Sequence, residues 1–210
     1  MKKLNFRPYQ NEEDYWRIRE FLRQVMLRNN RREHSWHVAR LDYWWWFGNP
    51  DLEKIPLEEN VFIWETDTKQ IGAVLNPEVR GQAYAHIHPD FYTTEFEEEV
   101  IGAAEKYLVS PDPDGHLKLC YFLDSQQRSR QELLARYGFQ RVERQGEQEV
   151  QHRRNLDDDL PEVMPISGYT IRSMGHGLEM LERCYASGLG FHEDDINIAR
   201  DNRDHPQWYQ

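Results

Sequence analysis

His86 and His88 are the residues of this sequence whose type and spacing most directly suggest chemistry. In an extended strand over residues 82–88 they share one face, because successive side chains of a strand point to opposite faces. Imidazole groups act as general bases near neutral pH or as metal ligands. No third ligand stands at a recognisable metal-site spacing, so we expect no metal. A hydrogen-bonded, structural histidine is the alternative at both positions.

A dense aromatic run comprises Trp36, Tyr43, Trp44, Trp45, Trp46 and Phe47. If residues 35–47 are helical, aromatic side chains cover most of the circumference, and such a helix is buried on more than one side. The run therefore predicts packing in a core or interface, or an apolar pocket whose wall contacts a substrate through Trp36, Trp44 and Trp45. We expect that Trp44, Trp45 and Trp46 are not all buried within one domain.

The segment 92–99 contains four glutamates and two threonines, but no glycine and no basic residue. Thr94 suits the N-cap of a helix over residues 95–109, and acidic residues suit the first turn of that helix. This interpretation needs no ligand. A carboxylate about 6 Å from a phosphate costs roughly 2–3 kcal/mol at an effective dielectric constant of about 20. The segment therefore opposes phosphate binding.

Composition limits the partners of the chain. Its 210 residues carry a net charge of −11, so it lacks the cation clusters that a nucleic-acid or anionic membrane surface requires. No apolar run approaches the about 20 residues of a membrane span, and the N-terminus does not resemble a signal peptide. Cys120 and Cys184 lie far apart in apolar stretches, which predicts reduced, buried thiols. We expect a soluble, cytoplasmic protein without nucleic-acid or membrane partners.

The elements that position these residues follow from periodicity and turn signals. The predicted strands cover residues 4–8, 61–65, 71–75, 82–88, 117–123, 139–143 and 149–153. One predicted helix starts after the N-cap Asn11. Three further helices are predicted over residues 35–47, 95–109 and 129–137, and the first of these three ends at the Gly-Asn-Pro run of residues 48–50. Residues 117–123 are nearly continuously apolar, as expected for a strand buried on both faces. The fold class is α/β, a mixed twisted sheet with helices on both faces.

The chain is predicted to contain a second, incomplete unit. Residues 1–156 form the first domain, residues 157–168 an acidic linker, and residues 169–210 restart the strand–helix pattern. In that restart, residues 169–172 are predicted as a strand, and two helices follow, the second beginning near Asp194. Such a piece cannot bury its own apolar face. We expect it to pack against the first domain or to contribute to a homodimer.

The order of elements resembles the fold of GNAT (Gcn5-related N-acetyltransferase) proteins, and two local sequences support the resemblance. The run Ile-His-Pro-Asp-Phe at residues 87–91 is similar to the Val/Ile-x-Pro-Asp/Glu-Tyr/Phe run that ends the family's fourth strand. Leu-Ala-Arg-Tyr-Gly-Phe at residues 134–139 is similar to the family's Leu-Tyr-x-x-Gly-Phe-like helix end, with the tyrosine shifted next to the glycine. The resemblance covers residues 4–155 and, as a truncated second copy of a tandem-GNAT protein, residues 169–210.

The resemblance implies an acyl-CoA-dependent N-acyltransferase that acts on a small amine. In such enzymes a base takes the amine proton, and a tyrosine often protonates the leaving thiolate. The candidate bases are then His86, His88 and Glu65, and the candidate acids are Tyr137 and Tyr121. The first two helices of the family line the acceptor site, where the aromatic run would lie. Acetyl-CoA would contact Ile87, His88, Tyr92, Thr93, Thr94 and Phe96.

The phosphate loop departs from the family pattern. GNAT enzymes hold the CoA pyrophosphate on an Arg/Gln-x-x-Gly-x-Gly/Ala loop, whose backbone amides receive the anion at a helix N-terminus. The equivalent residues here, 92–97, contain neither glycine nor a cation. We therefore expect weak or absent acetyl-CoA binding. A second function stays open: a non-catalytic GNAT-like scaffold or binding domain, the N-terminal half of a tandem protein whose active acyl-CoA loop lies beyond residue 210.

Overall fold

The computed structural model describes residues 3–32, 34–142, 154–155, 157–159, 162, 164 and 166–190. The chain divides into two compact units, Met1–His152 and Arg153–Gln210. Among the described residues, no helix combines the length and the apolar character that crossing a membrane demands. Cys120 is a free thiol, half-buried rather than in the core.

The first unit combines short strands with helices of very different lengths. Its described strands are β1 (Asn5–Pro8), β2 (Phe62–Glu65), β3 (Ile71–Asn76), β4 (Gln82–Ile87), β5 (Ser110–Pro111), β6 (Leu117–Lys118) and β7 (Cys120–Phe122). Its described helices are α1 (Glu12–Arg28), α2 (Val38–Tyr43), a π-helix (Trp44–Glu53), α3 (Leu57–Asn60), a 3₁₀ turn (Pro89–Phe91), α4 (Thr94–Tyr107) and α5 (Arg128–Arg136).

Five of these strands form one mixed sheet, in the order β1-β2-β3-β4-β7. The first four are an antiparallel meander, and β7 runs parallel to β4. Parallel neighbours require a crossover, and α4 lies within the segment that links them. The predicted turn over residues 67–70 joins β2 to β3 as expected. Strands β5 and β6 pair separately.

Each face of the sheet carries its own apolar cluster. Side chains of α1, α2 and the π-helix pack with one set of strand residues, including Tyr84. Side chains of α4 pack with the alternate set, including Ala83, Ala85 and Ile87. The alternation predicted for β4 is therefore confirmed, and so is an α/β fold with a mixed sheet between helices.

The second helical segment differs from the prediction. The Gly-Asn-Pro run of residues 48–50 does not end it, because the π-helix continues through Pro50 to Glu53. The side chain of Asn49 accepts from the Ile55 amide at 2.7 Å and donates to the Ile55 carbonyl at 3.0 Å. The backbone amide of Lys54 also donates to the Asn49 carbonyl, at 2.6 Å. These bonds fix the end of the helical segment six residues later than expected.

The strand predicted over residues 117–123 is also wrong in part. It is interrupted into β6 and β7, of which only β7 joins the main sheet, and Leu117 is 77% exposed. A turn with a positive φ at Gly115 precedes it. Residues 139–142, predicted to open a further strand, form none; the strand predicted over residues 149–153 lies outside the described residues.

The described part of the second unit contains one long helix. This helix, α6 (Leu178–Gly190), agrees with the helix predicted after the linker. Residues 169–172, predicted as a strand, have no strand conformation, and Tyr169 and Ile171 are exposed. A strand needs a partner for its ladder of hydrogen bonds, and the four-residue apolar alternation is too short to specify one. The helix predicted from Asp194 lies outside the described residues.

Candidate functional site

The candidate site lies at the carboxyl ends of the two parallel strands. β4 ends at Ile87 and α4 begins at Thr94, while β7 ends at Phe122 and α5 begins at Arg128. Both helices therefore start at the same edge of the sheet. Ligands of open α/β sheets bind at this edge, outside the carboxyl ends of the strands.

β4 and β7 pair over only part of their length. Their register runs from Gln82 opposite Cys120 to Tyr84 opposite Phe122. β4 continues to Ile87, and within the described residues its last positions pair with β3 alone. We call the space beside these last positions of β4, on the side of β7, the wedge.

A buried ion pair lies in the wedge. Arg130 Nη2 of α5 is 2.7 Å from Glu97 Oε1 of α4 and 3.4 Å from the carbonyl oxygen of Ala85 in β4. The Tyr121 hydroxyl donates to the same carboxylate oxygen at 3.0 Å. The Glu97 side chain is fully buried and that of Arg130 is 7% exposed. The pair therefore joins both helices to both strands.

The protonation of this cluster follows from its surroundings. Burial raises the pKa of the Tyr121 phenol, with a further contribution from the charge of Glu97. Burial alone would lower the pKa of the Arg130 guanidinium, but Tyr121 and Glu97 outweigh it and raise that pKa. Tyr121 is thus held as a neutral hydrogen-bond donor, and Arg130 as a cation.

An open cleft of about 460 Å³ lies next to the wedge, between α4 and α5. Its volume is within the range of about 300–1,000 Å³ of small-molecule sites. The side chains that line it come from the starts of both helices and from one face of α5: Tyr92, Thr94, Ser129, Glu132, Leu133 and Arg136. We call this the α4–α5 cleft.

The backbone of the cleft favours an anion. The first amides of a helix have no partner within the helix, and they give the N-terminus a partial positive charge. In α4 one of these amides, that of Phe96, donates a hydrogen bond to the Thr93 hydroxyl at 3.1 Å. The α5 N-terminus has no side-chain cap among the described residues. Arg136 adds a cation to the cleft and Glu132 a carboxylate, so their charges oppose each other.

No family model matches the chain. No curated protein matches it significantly. What the cleft can do is therefore argued from its own residues.

Two of the six predicted acetyl-CoA contacts line the cleft, Tyr92 and Thr94. The N-cap of α4 is Thr93 and not Thr94 as expected. The remaining three residues are part of the fold: Ile87 and Phe96 belong to the apolar cluster under α4, and His88 caps the 3₁₀ turn through Nδ1. Burial lowers the pKa of His88, which opposes its use as a cation for phosphate.

The acidic segment, expected to oppose phosphate binding, presents only part of its carboxylates to solvent. Glu97 points into the core and pairs with Arg130, while Glu99 Oε1 accepts from the Trp64 indole at 2.7 Å. The charge of Glu97 is thus compensated inside the protein by Arg130, whereas Glu99 is exposed and accepts only from a neutral indole. The expected repulsion of phosphate by Glu97 is correspondingly smaller, although Glu95 and Glu99 stay exposed.

Glu65, a predicted base, lies in a different part of the domain and holds β1, α1 and β2 together. Its carboxylate accepts from Arg7 Nε at 2.8 Å and Lys69 Nζ at 2.9 Å, and it also pairs with Arg17. Burial alone would raise the pKa of Glu65, but these hydrogen bonds outweigh it and lower the pKa to about 2. A carboxylate held so firmly as an anion is a poor proton acceptor near neutral pH.

His86, the other predicted base, is a buried structural histidine. Its Nδ1 accepts from the Trp36 backbone amide at 3.3 Å, which leaves the proton on Nε2, 3.2 Å from the side-chain oxygen of Asn76. Burial, together with the charges of Arg130 and Arg40, lowers the pKa of His86 to about 3. The predicted catalytic role of His86 therefore conflicts with its position.

We expect His86 to stay neutral across the physiological range of pH. Its imidazole resonances should not shift between about pH 8 and pH 5, because its folded pKa of about 3 lies far below the ordinary 6.5. Below pH 6.5 the unfolded state takes up this proton and the folded state does not, so stability falls as pH decreases. Histidine NMR titration measures this directly. A midpoint for His86 near 6.5 contradicts the assignment.

Tyr137 is the predicted catalytic residue that remains accessible. It is the C-cap of α5, 41% exposed, and follows Arg136 of the cleft directly in sequence. Tyr121, the alternative acid, is committed to Glu97 and has a raised pKa. Of the acid–base candidates, Tyr137 alone is thus exposed and adjacent in sequence to the cleft.

The tryptophans predicted to contact substrate are core residues. Trp36, Trp44 and Trp45 are each at most 5% exposed, and the Trp44 indole donates to the Glu78 carbonyl at 2.8 Å. None of them lines the α4–α5 cleft. Trp46 is 39% exposed, which confirms that the three consecutive tryptophans are not all buried.

Sequence reasoning missed the residues of α5 that shape the site, Arg130, Ser129, Glu132 and Arg136. A signal for Arg130 is present, because it lies three and four positions before Leu133 and Leu134, on the buried face of α5.

Among the described residues, Asp112, Asp114 and His116 also place potential metal ligands near one another. Asp112 is occupied there in accepting two backbone amides of its own turn.

Proposed function

We propose that this chain is a domain of a GNAT-type, acyl-CoA-dependent N-acyltransferase, and that residues 3–142 bind the nucleotide end of the acyl-CoA. The observation that carries the proposal is the α4–α5 cleft, which lies at the carboxyl ends of parallel strands between the starts of two helices. Such a place suits a phosphorylated ligand. The cytoplasm, where we expect the chain, is consistent with a CoA ligand and a free thiol at Cys120.

The lining of the cleft fits the phosphates of CoA. The first amides of α4 and α5, the Ser129 hydroxyl and the Arg136 guanidinium are donors of the kind that bind phosphate. The phenol of Tyr92 adds a flat surface and a further donor, whose pKa is raised by burial and by Glu97. Glu132 opposes the anion. We therefore expect binding in the high-micromolar range rather than below.

The acyl end of CoA fits the domain poorly. An acyl carbonyl would be received at the end of β4, but there the Ala85 carbonyl accepts from Arg130 and the wedge is filled by the ion pair. Glu65 and His86 are both held in structural hydrogen bonds. For these reasons we assign this domain a role in binding, and we derive no transfer step from its residues.

A second candidate function is acyl transfer to a small amine by this domain itself. The exposed phenol of Tyr137, adjacent in sequence to Arg136 of the cleft, favours it as the acid for a leaving thiolate. The element order and the run at residues 87–91 support the same class. The two functions differ in one measurable outcome, which is turnover.

Calorimetric titration of the full chain with acetyl-CoA tests the proposal. We expect a dissociation constant in the high-micromolar range, and we expect the substitution Arg136→Gln to weaken binding by about fivefold, or about 1 kcal/mol, because one charge-assisted contact is lost. Arg23→Gln is the matched control, since Arg23 is an exposed arginine of α1 paired with Glu20 and distant in sequence from the cleft. It should leave the dissociation constant unchanged.

Turnover assays separate the two candidate functions. We expect no acetyl transfer to a panel of primary amines above the rate without protein. Transfer that is lost in Tyr137→Phe while acetyl-CoA binding is retained supports the catalytic candidate instead. Absence of acetyl-CoA binding at millimolar concentration contradicts both.

A further inference from the structure

The wedge between β4 and β7 is closed by side chains of this chain. Arg130 reaches across it from α5 to the Ala85 carbonyl of β4, and Glu97 meets it from α4. Tyr121 of β7 completes the contact with Glu97 from the other strand. All four walls of the wedge, two strands and two helices, are thus tied to one ion pair.

Each charged group of the pair has an atom that solvent does not reach. Arg130 Nε and Glu97 Oε2 are inaccessible to water and have no hydrogen-bond partner among the described residues. Beneath them Ile101 and Leu133 pack in an apolar cluster with Tyr121. Solvent that reaches the α4–α5 cleft therefore does not reach these two atoms, although Leu133 lines the cleft as well.

We propose that the Glu97–Arg130 pair excludes the acyl-bearing arm of CoA from the wedge, so that the cleft selects the nucleotide end alone. This inference rests on the proposed function. The ligand that the α4–α5 cleft selects is a phosphorylated adenine nucleotide. A pantetheine arm attached to this nucleotide gives no gain in affinity.

The physical basis is the contact of Arg130 with the Ala85 carbonyl near the end of β4. An extended arm that pairs with the end of β4 needs the Ala85 carbonyl and the space beside it, and Arg130 occupies both. To admit the arm, Arg130 must leave Glu97, and this leaves a carboxylate uncompensated in an apolar surrounding. The cleft itself is open and imposes no such requirement on the nucleotide end.

The test compares two ligands that differ only in the arm. Acetyl-CoA and its nucleotide end, 3′-phosphoadenosine 5′-diphosphate, are titrated into the full chain by calorimetry under the same conditions. We expect their dissociation constants to agree within about twofold. An advantage of about tenfold or more for acetyl-CoA overturns the inference and leaves the proposed function intact. If neither ligand binds at millimolar concentration, both the inference and the proposed function are wrong.

Two double variants test the cause. Glu97→Ala with Arg130→Ala empties the wedge and should give acetyl-CoA an advantage of about tenfold over the nucleotide. Glu97→Gln with Arg130→Met removes the charges but keeps most of the volume, and the ratio should stay near that of the parent chain. Arg136→Gln should weaken both ligands by the same factor.

The ratio of affinities separates exclusion from a merely structural role of the pair. A variant that is only less stable binds both ligands less well, and the ratio does not move. Circular dichroism verifies that each variant is folded at the temperature of the titration. An unchanged ratio in a folded Ala/Ala variant contradicts the role of the pair, and the measurement on the parent chain decides the selectivity without any variant.

Discussion

Replacing Arg130 by alanine should lower the free energy of unfolding by about 3–5 kcal/mol, the usual cost of breaking a buried ion pair. Glu97 is fully buried, and without Arg130 its charge keeps only the hydrogen bond from Tyr121. The substitution also removes the contact with the Ala85 carbonyl. Urea denaturation at pH 7, followed by tryptophan fluorescence, measures the change, because the core tryptophans report on the first unit.

The control separates loss of charge compensation from loss of side-chain volume. Glu97→Leu combined with Arg130→Met removes both charges and should recover most of the stability lost in Arg130→Ala, since an apolar pair of similar size carries no desolvation cost. Arg128→Ala, at an exposed position of the same helix, should change stability by no more than about 0.5 kcal/mol. A loss under about 1 kcal/mol for Arg130→Ala contradicts the buried pair.

The ion pair also shows what sequence patterns predict and what they do not. The sheet, its hairpin and the amphipathic faces of α1 and α4 follow from periods of two and of 3.6 residues, which are local properties. Glu97 and Arg130 are 33 residues apart, and each belongs to a segment rich in charge. A local pattern assigns such residues to solvent. Only the position of each on the buried face of its helix indicates otherwise.

The predicted site shows the same limit. Tyr92 and Thr94 line the cleft, and they were predicted from the resemblance of residues 92–97 to a phosphate loop between the fourth strand and a helix. The other half of the cleft comes from α5, whose position depends on the parallel pairing of β4 with β7. No residue pattern specifies that register.

His86 and Glu65 are poorly placed for the predicted role of a base, for a common reason. Residue type marks a side chain that can accept a proton, but hydrogen bonds to distant residues decide whether it is free to do so. His86 bonds to Trp36 and Asn76, and Glu65 bonds to arginines of β1 and α1. These partners lie 10 to 58 residues away along the chain.

The network around Glu65 makes the first unit sensitive to acid. Besides Arg17 and Lys69, the network contains Arg7, whose guanidinium bridges Glu65 and Asp14 at 2.8 Å and 2.6 Å. The pKa of Asp14 is lowered as well. Burial alone would raise this pKa, but the hydrogen bonds from Arg7 and the Gln10 amide outweigh burial. The side chains of both carboxylates are at most 5% exposed, so solvent screens these pairs little.

The sign of the effect follows from the lowered pKa. Between pH 4.5 and about pH 2 the unfolded state binds a proton at Glu65 that the folded state does not. The stabilisation by Glu65 is therefore complete above pH 4.5 and is lost as pH falls through about 2. The stabilisation by Glu65 that corresponds to this difference in pKa is about 3 kcal/mol.

We expect Glu65→Gln to lower the free energy of unfolding by about 3 kcal/mol at pH 7 and to flatten its dependence on pH between 4.5 and 2. Urea denaturation of the full chain at a series of pH values measures both effects. Glu20 is the matched control: hydrogen bonds from Arg23 and Gln24 lower its pKa to about 2 as well, but its side chain is 50% exposed. Solvent screens an exposed pair, so Glu20→Gln should cost no more than about 0.5 kcal/mol. Equal losses in the two variants would mean that burial does not determine the strength of these ion pairs, and the role assigned to Glu65 would then be wrong.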